Sequence, residues 1–187
     1  MNPRSLDVQR DEFSRRRFLA MPLAGAVAWL AVAVAGATLP MGLAVWALFL
    51  ATGSIAYLGI FVSRFTGEDF LDKSRPKNAF DSLFFHGVGQ ALAVYSIAIP
   101  FFLQDPTSLP LTVGILTGLM WIPVSWIIRH WVGLFHTGAR TALVLVAWYA
   151  FPEARFVAVP LVIVGVYAAT MVILESRFRR VGEASPS

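Results

Sequence analysis

Cysteine is absent from this chain, and charge is scarce, with only 14% of its 187 residues Asp, Glu, Lys or Arg. The first absence excludes disulfides, thiolate-bound zinc, iron–sulfur clusters and cysteine nucleophiles, and leaves the redox compartment open. The second, set against 57% hydrophobic residues, excludes an ordinary soluble domain, which carries about a quarter charged residues. No Asp or Glu stands in the middle of any long apolar run. Catalytic signatures are missing as well: no serine-based triad, carboxylate pair or phosphate-binding glycine loop assembles at one depth of these runs. The expectation therefore leans away from an enzyme, and no cofactor is expected.

What the chain does have is a succession of apolar runs, each near the roughly 20 residues that cross a bilayer core. They predict an all-α integral membrane protein with six transmembrane helices in one bundle, occupying residues 18–175. The spans are drawn at 18–37, 41–63, 82–103, 109–128, 131–151 and 156–174. Thr38-Leu39-Pro40, Gln104-Asp105-Pro106 and Phe151-Pro152-Glu153 supply the short turns between antiparallel neighbours. Residues 1–17 form a basic segment that lies at the membrane surface, 64–81 a polar loop and 176–187 a basic tail. Ser14-Arg15-Arg16-Arg17-Phe18-Leu19 also fits a twin-arginine export signal, but five further spans make a retained first helix the simpler account.

Lys and Arg set the orientation. The five arginines of the tail share a side with Arg64, Lys73, Arg75 and Lys77 of the loop, with Arg129, and with Arg177, Arg179 and Arg180, whereas the other side has Arg155 alone. Both termini are therefore expected in the cytoplasm, and a bacterial inner membrane is the expected location. The net charge of +4 follows from residues flanking apolar runs, which points to an anionic bilayer surface and not to nucleic acid.

Polar residues inside the spans are the candidate site. His86 and Gln90 share one face of the third span, extended by Ser82, and His136 and Arg140 share one face of the fifth. With both helices entering from the cytoplasm, the histidines lie roughly 6–8 Å deep and Gln90 and Arg140 roughly 12–14 Å deep. Matched depth predicts that the two pairs meet if the helices are neighbours. A deep arginine without an equally deep acid must tie to carbonyls, to Gln90 or to a rim acid such as Asp81 or Glu175, or else hold a small anion or a lipid head group. His86 and His136 are the alternative as a bis-histidine metal or haem site, in a membrane enzyme or redox protein. No metal is the leading expectation, because buried histidines more often form hydrogen bonds in a core. Glu68, Asp69 and Asp72 of the loop read as solvated mixed charge before they read as a divalent-ion site.

Gly114, Gly118 and Gly53 are expected to let helices approach closely, within the bundle or in a homo-oligomer. Trp126, Trp131, Trp148 and Tyr149 read as interfacial belt residues. A faint repeat pairs Thr52-Gly53 and Arg64 with Thr117-Gly118 and Arg129, and Phe85-His86 with Phe135-His136. With the Ser14–Phe18 entry, the Ser63-Arg64 loop start and the run from Trp126 to Thr141, the chain resembles small bacterial multi-pass inner-membrane proteins grouped as families of unknown function. That resemblance implies membrane residence and carries no catalytic residues with it. The expected function is a cytoplasm-facing polar pocket that binds or transports a small anion or lipid head group. A structural or regulatory subunit of a membrane complex is the further alternative.

Overall fold

The computed structural model describes residues 4–72 and 74–183, and among these every regular element is helical. Helix α1 (Leu6–Ser14) starts at Ser5, whose side chain accepts from Val8 N–H at 3.3 Å. Helix α2 (Ala20–Thr38) has no side-chain cap of its own. A carboxylate from far along the chain supplies one: Glu68 Oε1 accepts from the N–H groups of Leu19 and Ala20, each at 2.8 Å. Helix α4 (Ile55–Thr66) delivers Glu68 there. It ends at Gly67 in the left-handed conformation, with the Glu68 and Asp69 N–H groups both returning to Ser63 O, the turn chemistry that glycine permits.

Helix α3 (Met41–Gly53) precedes α4 at a bend of 52° centred on Ser54. Helices α5 (Ala79–Ala93) and α6 (Tyr95–Gln104) divide at Val94, and α7 (Leu109–Gly118) and α8 (Trp121–Ile127) at Leu119-Met120. Helix α9 (Val132–Ala150) and the long α10 (Arg155–Glu183) complete the bundle.

Small side chains put α2 at the centre. Helix α10 runs along it on one side and α3 and α4 pack on the other, while α9 lies between α10 and the α7–α8 pair. At Gly36 any Cβ would collide with the Phe156 carbonyl, and at Gly25 it would meet the Tyr167 phenol. Trp29, Val32, Leu48, Val113, Val144 and Ile163 are fully buried in the core this creates.

Among the described residues, three helical stretches are long and apolar enough to cross a membrane: Ala20–Thr38, Pro106–Ile127 and Pro152–Gly182. The bent pair α3–α4 makes a fourth if it counts as one span. The stretch drawn as 82–103 is not one continuous helix, since Val94 divides it and Tyr95–Gln104 is only 10 residues long. Helix α9 has 19 residues, and His136 and Arg140 within it lower its apolarity.

The breaks are related. Thr52 Oγ1, at the end of α3, lies 2.5 Å from Tyr95 OH at the start of α6, so the first two are level. Ile55, Met120 and Trp121, which open α4 and α8, line one cavity, which brings the third to the same region. Residues of α4, α5 and α8 line that cavity together with the loop after α4 and parts of α1, α2 and α10.

The arginine-rich start of the chain is tied to one end of the bundle. Arg10 donates to the carbonyls of Trp126 and Ile127, the free end of α8, and its guanidinium lies 4.0 Å from the Trp126 ring centroid. Arg129 pairs with Asp11 at 3.0 Å, Arg17 with Glu175 at 2.8 Å, and Arg16 with Asp81. At the opposite end, Arg155 lies 3.6 Å from Asp105. Hydrogen bonds from Thr107, and then the positive charge of Arg155, hold the Asp105 carboxyl below its ordinary range.

Glu68 joins the loop to the first residues of the central helix, so Glu68→Ala should lower stability by about 1–2 kcal/mol through loss of the cap. Glu68→Gln keeps an acceptor oxygen and should lose about half of that. Thermal unfolding of the detergent-purified variants measures both, and equal melting temperatures for wild type and Glu68→Ala would remove the capping role.

Candidate functional site

Arg140 is fully buried at the meeting of four elements. Its Nη1 donates to Tyr167 OH on α10 at 3.1 Å and faces His136 Nε2 on its own helix at 3.4 Å. Its Nη2 donates to Thr117 Oγ1 on α7 at 2.9 Å. The guanidinium carbon lies 5.5 Å from the Trp29 ring centroid on α2 and 5.3 Å from that of Tyr167. Every one of these groups is neutral. Among the described residues no carboxylate lies within ion-pair distance of Arg140, and its Nε–H has no acceptor. Trp29 Nε1, also buried, likewise has no acceptor among the described residues. Both are donor-only groups, so this core holds a surplus of N–H and one uncompensated positive charge.

The local sequence explains how such a group is accommodated. Gly118 leaves the notch that Arg140 fills, since a Cβ there would stand 2.9 Å from Arg140 Cδ. Thr117 donates its own proton to Val113 O at 2.7 Å, which turns its lone pairs toward the guanidinium. Thr170 does the same with Val166 O at 2.8 Å, so the 2.9 Å contact with His136 requires Nδ1–H of the histidine to donate. That tautomer presents the bare Nε2 to Arg140. The imidazole is stacked on Trp121, with ring centroids 4.5 Å apart, and packs on Tyr167 at 4.9 Å.

Trp121 and Tyr167 are also the inner lining of a cavity of about 660 Å³. Phe18, Met21, Ile55, Phe84 and Met120 make much of its wall. Its rim carries Arg16, Arg75, Lys77, Glu68, Asp72 and Asp81, at the end of the bundle where α1 sits. These charges are largely matched: Arg16 with Asp81, Arg75 with Asp72 at 3.2 Å, and Glu68 with the start of α2. Hydrogen bonds from Ser74 hold the Asp72 carboxyl below its usual range. The cavity thus has a matched polar rim, an apolar body, and a buried cation behind its inner wall.

The residues singled out from sequence separate into two groups. His136 and Arg140 stand together at the centre. Ser82 lies at the cavity edge, but His86 and Gln90 are exposed on α5, which packs mainly on α1 and α6. His86 Nδ1 lies 2.6 Å from Ser82 O, one turn back along the same helix. The expected meeting of the two polar pairs does not occur, because α5 diverges from α9 and Arg140 takes Thr117 and Tyr167 in place of Gln90. A rim acid does not reach Arg140 either, since Asp81 and Glu175 are held by Arg16 and Arg17. The two histidines are placed differently: the His86 ring is exposed on α5, and His136 has a guanidinium at its free nitrogen. Among the described residues no cluster of three or more His, Cys, Asp or Glu gathers to hold a metal ion.

Gly114 and Gly118 face the inside of the bundle, against Ile163 and Arg140. They offer no surface to a second copy. A Cβ at Gly53 would meet nothing within 4 Å, so Gly53 is not a packing contact within this bundle. Trp29, Thr117, Trp121, Tyr167 and Thr170 were not singled out as site residues. The one signal among them is the Thr117-Gly118 pair, which repeats Thr52-Gly53 and bears on Thr117 alone. Each threonine closes a helix at a break and meets a side chain of the next stretch, Tyr95 in one case and Arg140 in the other.

The model of a family of unknown function, DUF7010, matches residues 6–177. No curated protein and no solved structure matches the chain.

Gly118→Ala should displace the Arg140 stem and lower stability by about 1–3 kcal/mol, the usual cost of overpacking. Gly53→Ala, with open space around it, should be neutral or stabilising by up to about 1 kcal/mol. Thermal unfolding separates the two, and indifference to both would mean that Arg140 does not depend on the notch.

Proposed function

The chain belongs to the DUF7010 family, and we propose that it is a six-span protein of the bacterial inner membrane that binds an anionic ligand from the cytoplasm, with Arg140 as the charge that selects it. The observation that carries this reading is the guanidinium itself, fully buried and, among the described residues, with neutral partners alone and an N–H that has no acceptor. A charge at helix centre costs about 2.5–3.5 kcal/mol on insertion scales. Hydrogen bonds to charged groups recover roughly 1.5–3 kcal/mol each, enough to keep the site folded while its charge is unmatched. An oxyanion supplies the missing acceptors and the missing charge together.

Six spans require α9 and the α5–α6 pair to cross in addition to the four apolar stretches. Support for both termini in the cytoplasm comes from the gathering of α1, the loop after α4 and the end of α10 at one pole, through Arg17–Glu175, Arg129–Asp11 and the contacts of Arg177 with the Ser14 and Arg16 carbonyls. That pole carries nearly all the Lys and Arg, which fits cytoplasmic retention.

Two measurements test the reading. Fusions of a cytoplasm-active fluorescent reporter to residue 70 and to the C-terminus should both fluoresce, and a periplasm-active phosphatase should work at residue 105 and at neither of the others. Any other pattern removes the six-span topology. Native mass spectrometry of the detergent-purified protein should show a retained or titratable anion that Arg140→Met loses. The variant should stay folded and melt within about 1–2 kcal/mol of wild type, since replacing a buried ionic group by an apolar one of similar size is often close to neutral. Unchanged anion binding in folded Arg140→Met would overturn the assignment.

A further inference from the structure

The shape of the cavity narrows the ligand class. Two of the rim cations are already engaged, Arg16 by Asp81, and Arg75 by Asp72 and by the Glu68 carbonyl at 2.8 Å. The third, Lys77, shares the rim with the further carboxylates of Glu68 and Asp69. A head group resting at the rim therefore finds little uncompensated positive charge, whereas the inner end lies against a cation that no acid matches. Between them is a wall made largely of aromatic and aliphatic side chains. A ligand complementary to this arrangement carries its anionic group inward and an apolar body behind it.

Tyr167 is the group that can present Arg140 to such a ligand. It lines the cavity and accepts a hydrogen bond from Arg140 Nη1. Thr117 and Thr170 spend their hydroxyl protons on helix carbonyls, but the Tyr167 proton has no acceptor among the described residues. A phenol oxygen that accepts from a guanidinium becomes a stronger donor through its own O–H, because hydrogen bonds in a chain polarise one another.

Resting on the reading of Arg140 as an anion site, we propose that the ligand is an organic carboxylate with an aromatic or alkyl body. Its body fills the cavity, and its carboxylate accepts from the Tyr167 hydroxyl within the field of Arg140. A volume of about 660 Å³ lies within the range of pockets that enclose a small organic molecule, roughly 300–1,000 Å³. A bare inorganic anion would leave most of the apolar wall without a partner.

The test is calorimetric titration of the full-length protein in nanodiscs, with empty nanodiscs as the control for partition into lipid. The probes are 2-naphthoate, its neutral carboxamide, acetate and inorganic phosphate. Naphthoate should bind, with acetate and phosphate at least about tenfold weaker because they leave the apolar wall without a partner. The carboxamide should also be at least about tenfold weaker, because it brings no negative charge to Arg140. Tyr167→Phe keeps the ring that fills the notch at Gly25 and should weaken naphthoate about tenfold or more, the loss of a hydrogen bond to a charged group. Arg140→Met should abolish binding, and Ile55→Trp, which fills the inner end, should do so with Arg140 in place. Thermal unfolding of each variant shows whether it has folded. Arg140-dependent binding of acetate or phosphate as tight as that of naphthoate would overturn the apolar-body assignment and leave the anion site standing. Equal binding of naphthoate and its carboxamide, unchanged in Arg140→Met, would overturn both. Full affinity in Tyr167→Phe, with binding lost in Arg140→Met, would remove Tyr167 from the site.

Discussion

A guanidinium buried without a counter-ion is the constraint on which the centre of this molecule depends. In an apolar interior a charge must be paired, hydrogen-bonded or neutralised, and arginine does not lose its proton. Arg140 is therefore met by acceptors that carry no charge: two hydroxyls and an imidazole nitrogen, from three helices. Each must be turned the right way. Thr117 and Thr170 are turned by giving their protons to carbonyls one turn back on their own helices. Through Thr170 that choice sets the tautomer of His136. Donor direction thus passes from helix backbone to side chain to cation, and polar networks of this kind specify one arrangement of their helices when satisfied.

The same cluster explains the distribution of small residues. Gly118 admits the stem of Arg140, Gly25 admits the phenol of Tyr167, and Gly36 admits the start of α10. Close approach between membrane helices depends on such residues, because lipid chains are as apolar as the side chains they would exclude. Here the approach does more than increase packing, since it brings hydroxyls on α7 and α10 within hydrogen-bond reach of one side chain on α9. The helical breaks then set what lies beside the cluster. One half of each broken pair, α4, α5 and α8, lines the cavity that ends on Trp121 and Tyr167. Broken helices at membrane depth occur where the interrupted backbone faces protein or a cavity and not lipid.

Around the mouth of that cavity the charges are organised in the opposite manner. Arg16, Arg17 and Arg129 each meet an acid, and Glu68 is spent on the N-terminus of α2. Exposed ion pairs contribute little individually to stability, about 0–1 kcal/mol each. Together they tie α1 across one pole of the bundle and leave little net field at the rim. The contrast between a matched rim and an unmatched interior gives the cavity its direction.

By itself the sequence determined the helical class, the approximate position of the apolar runs, the asymmetry of Lys and Arg, and the placing of Arg140 and His136 together on one face of one helix. Those properties follow from hydropathy, from helical period and from the rarity of charge within apolar runs, all of which are local. Only the tertiary structure decided that Ser54, Val94 and Leu119-Met120 interrupt their runs, that His86 and Gln90 face away from the centre, and that Gly114 and Gly118 serve α10 and Arg140 and no second copy. It also decided that Tyr167, Thr117 and Thr170 complete the cluster. Thr117 lies 23 residues before Arg140 and Tyr167 27 after it, and no period within one helix links such positions. Matched depth suggested Gln90 as the partner of Arg140, but depth is one coordinate of three. Which helices are neighbours is set by the small faces of α2 and α7, and that choice emerges only when all the helices pack at once.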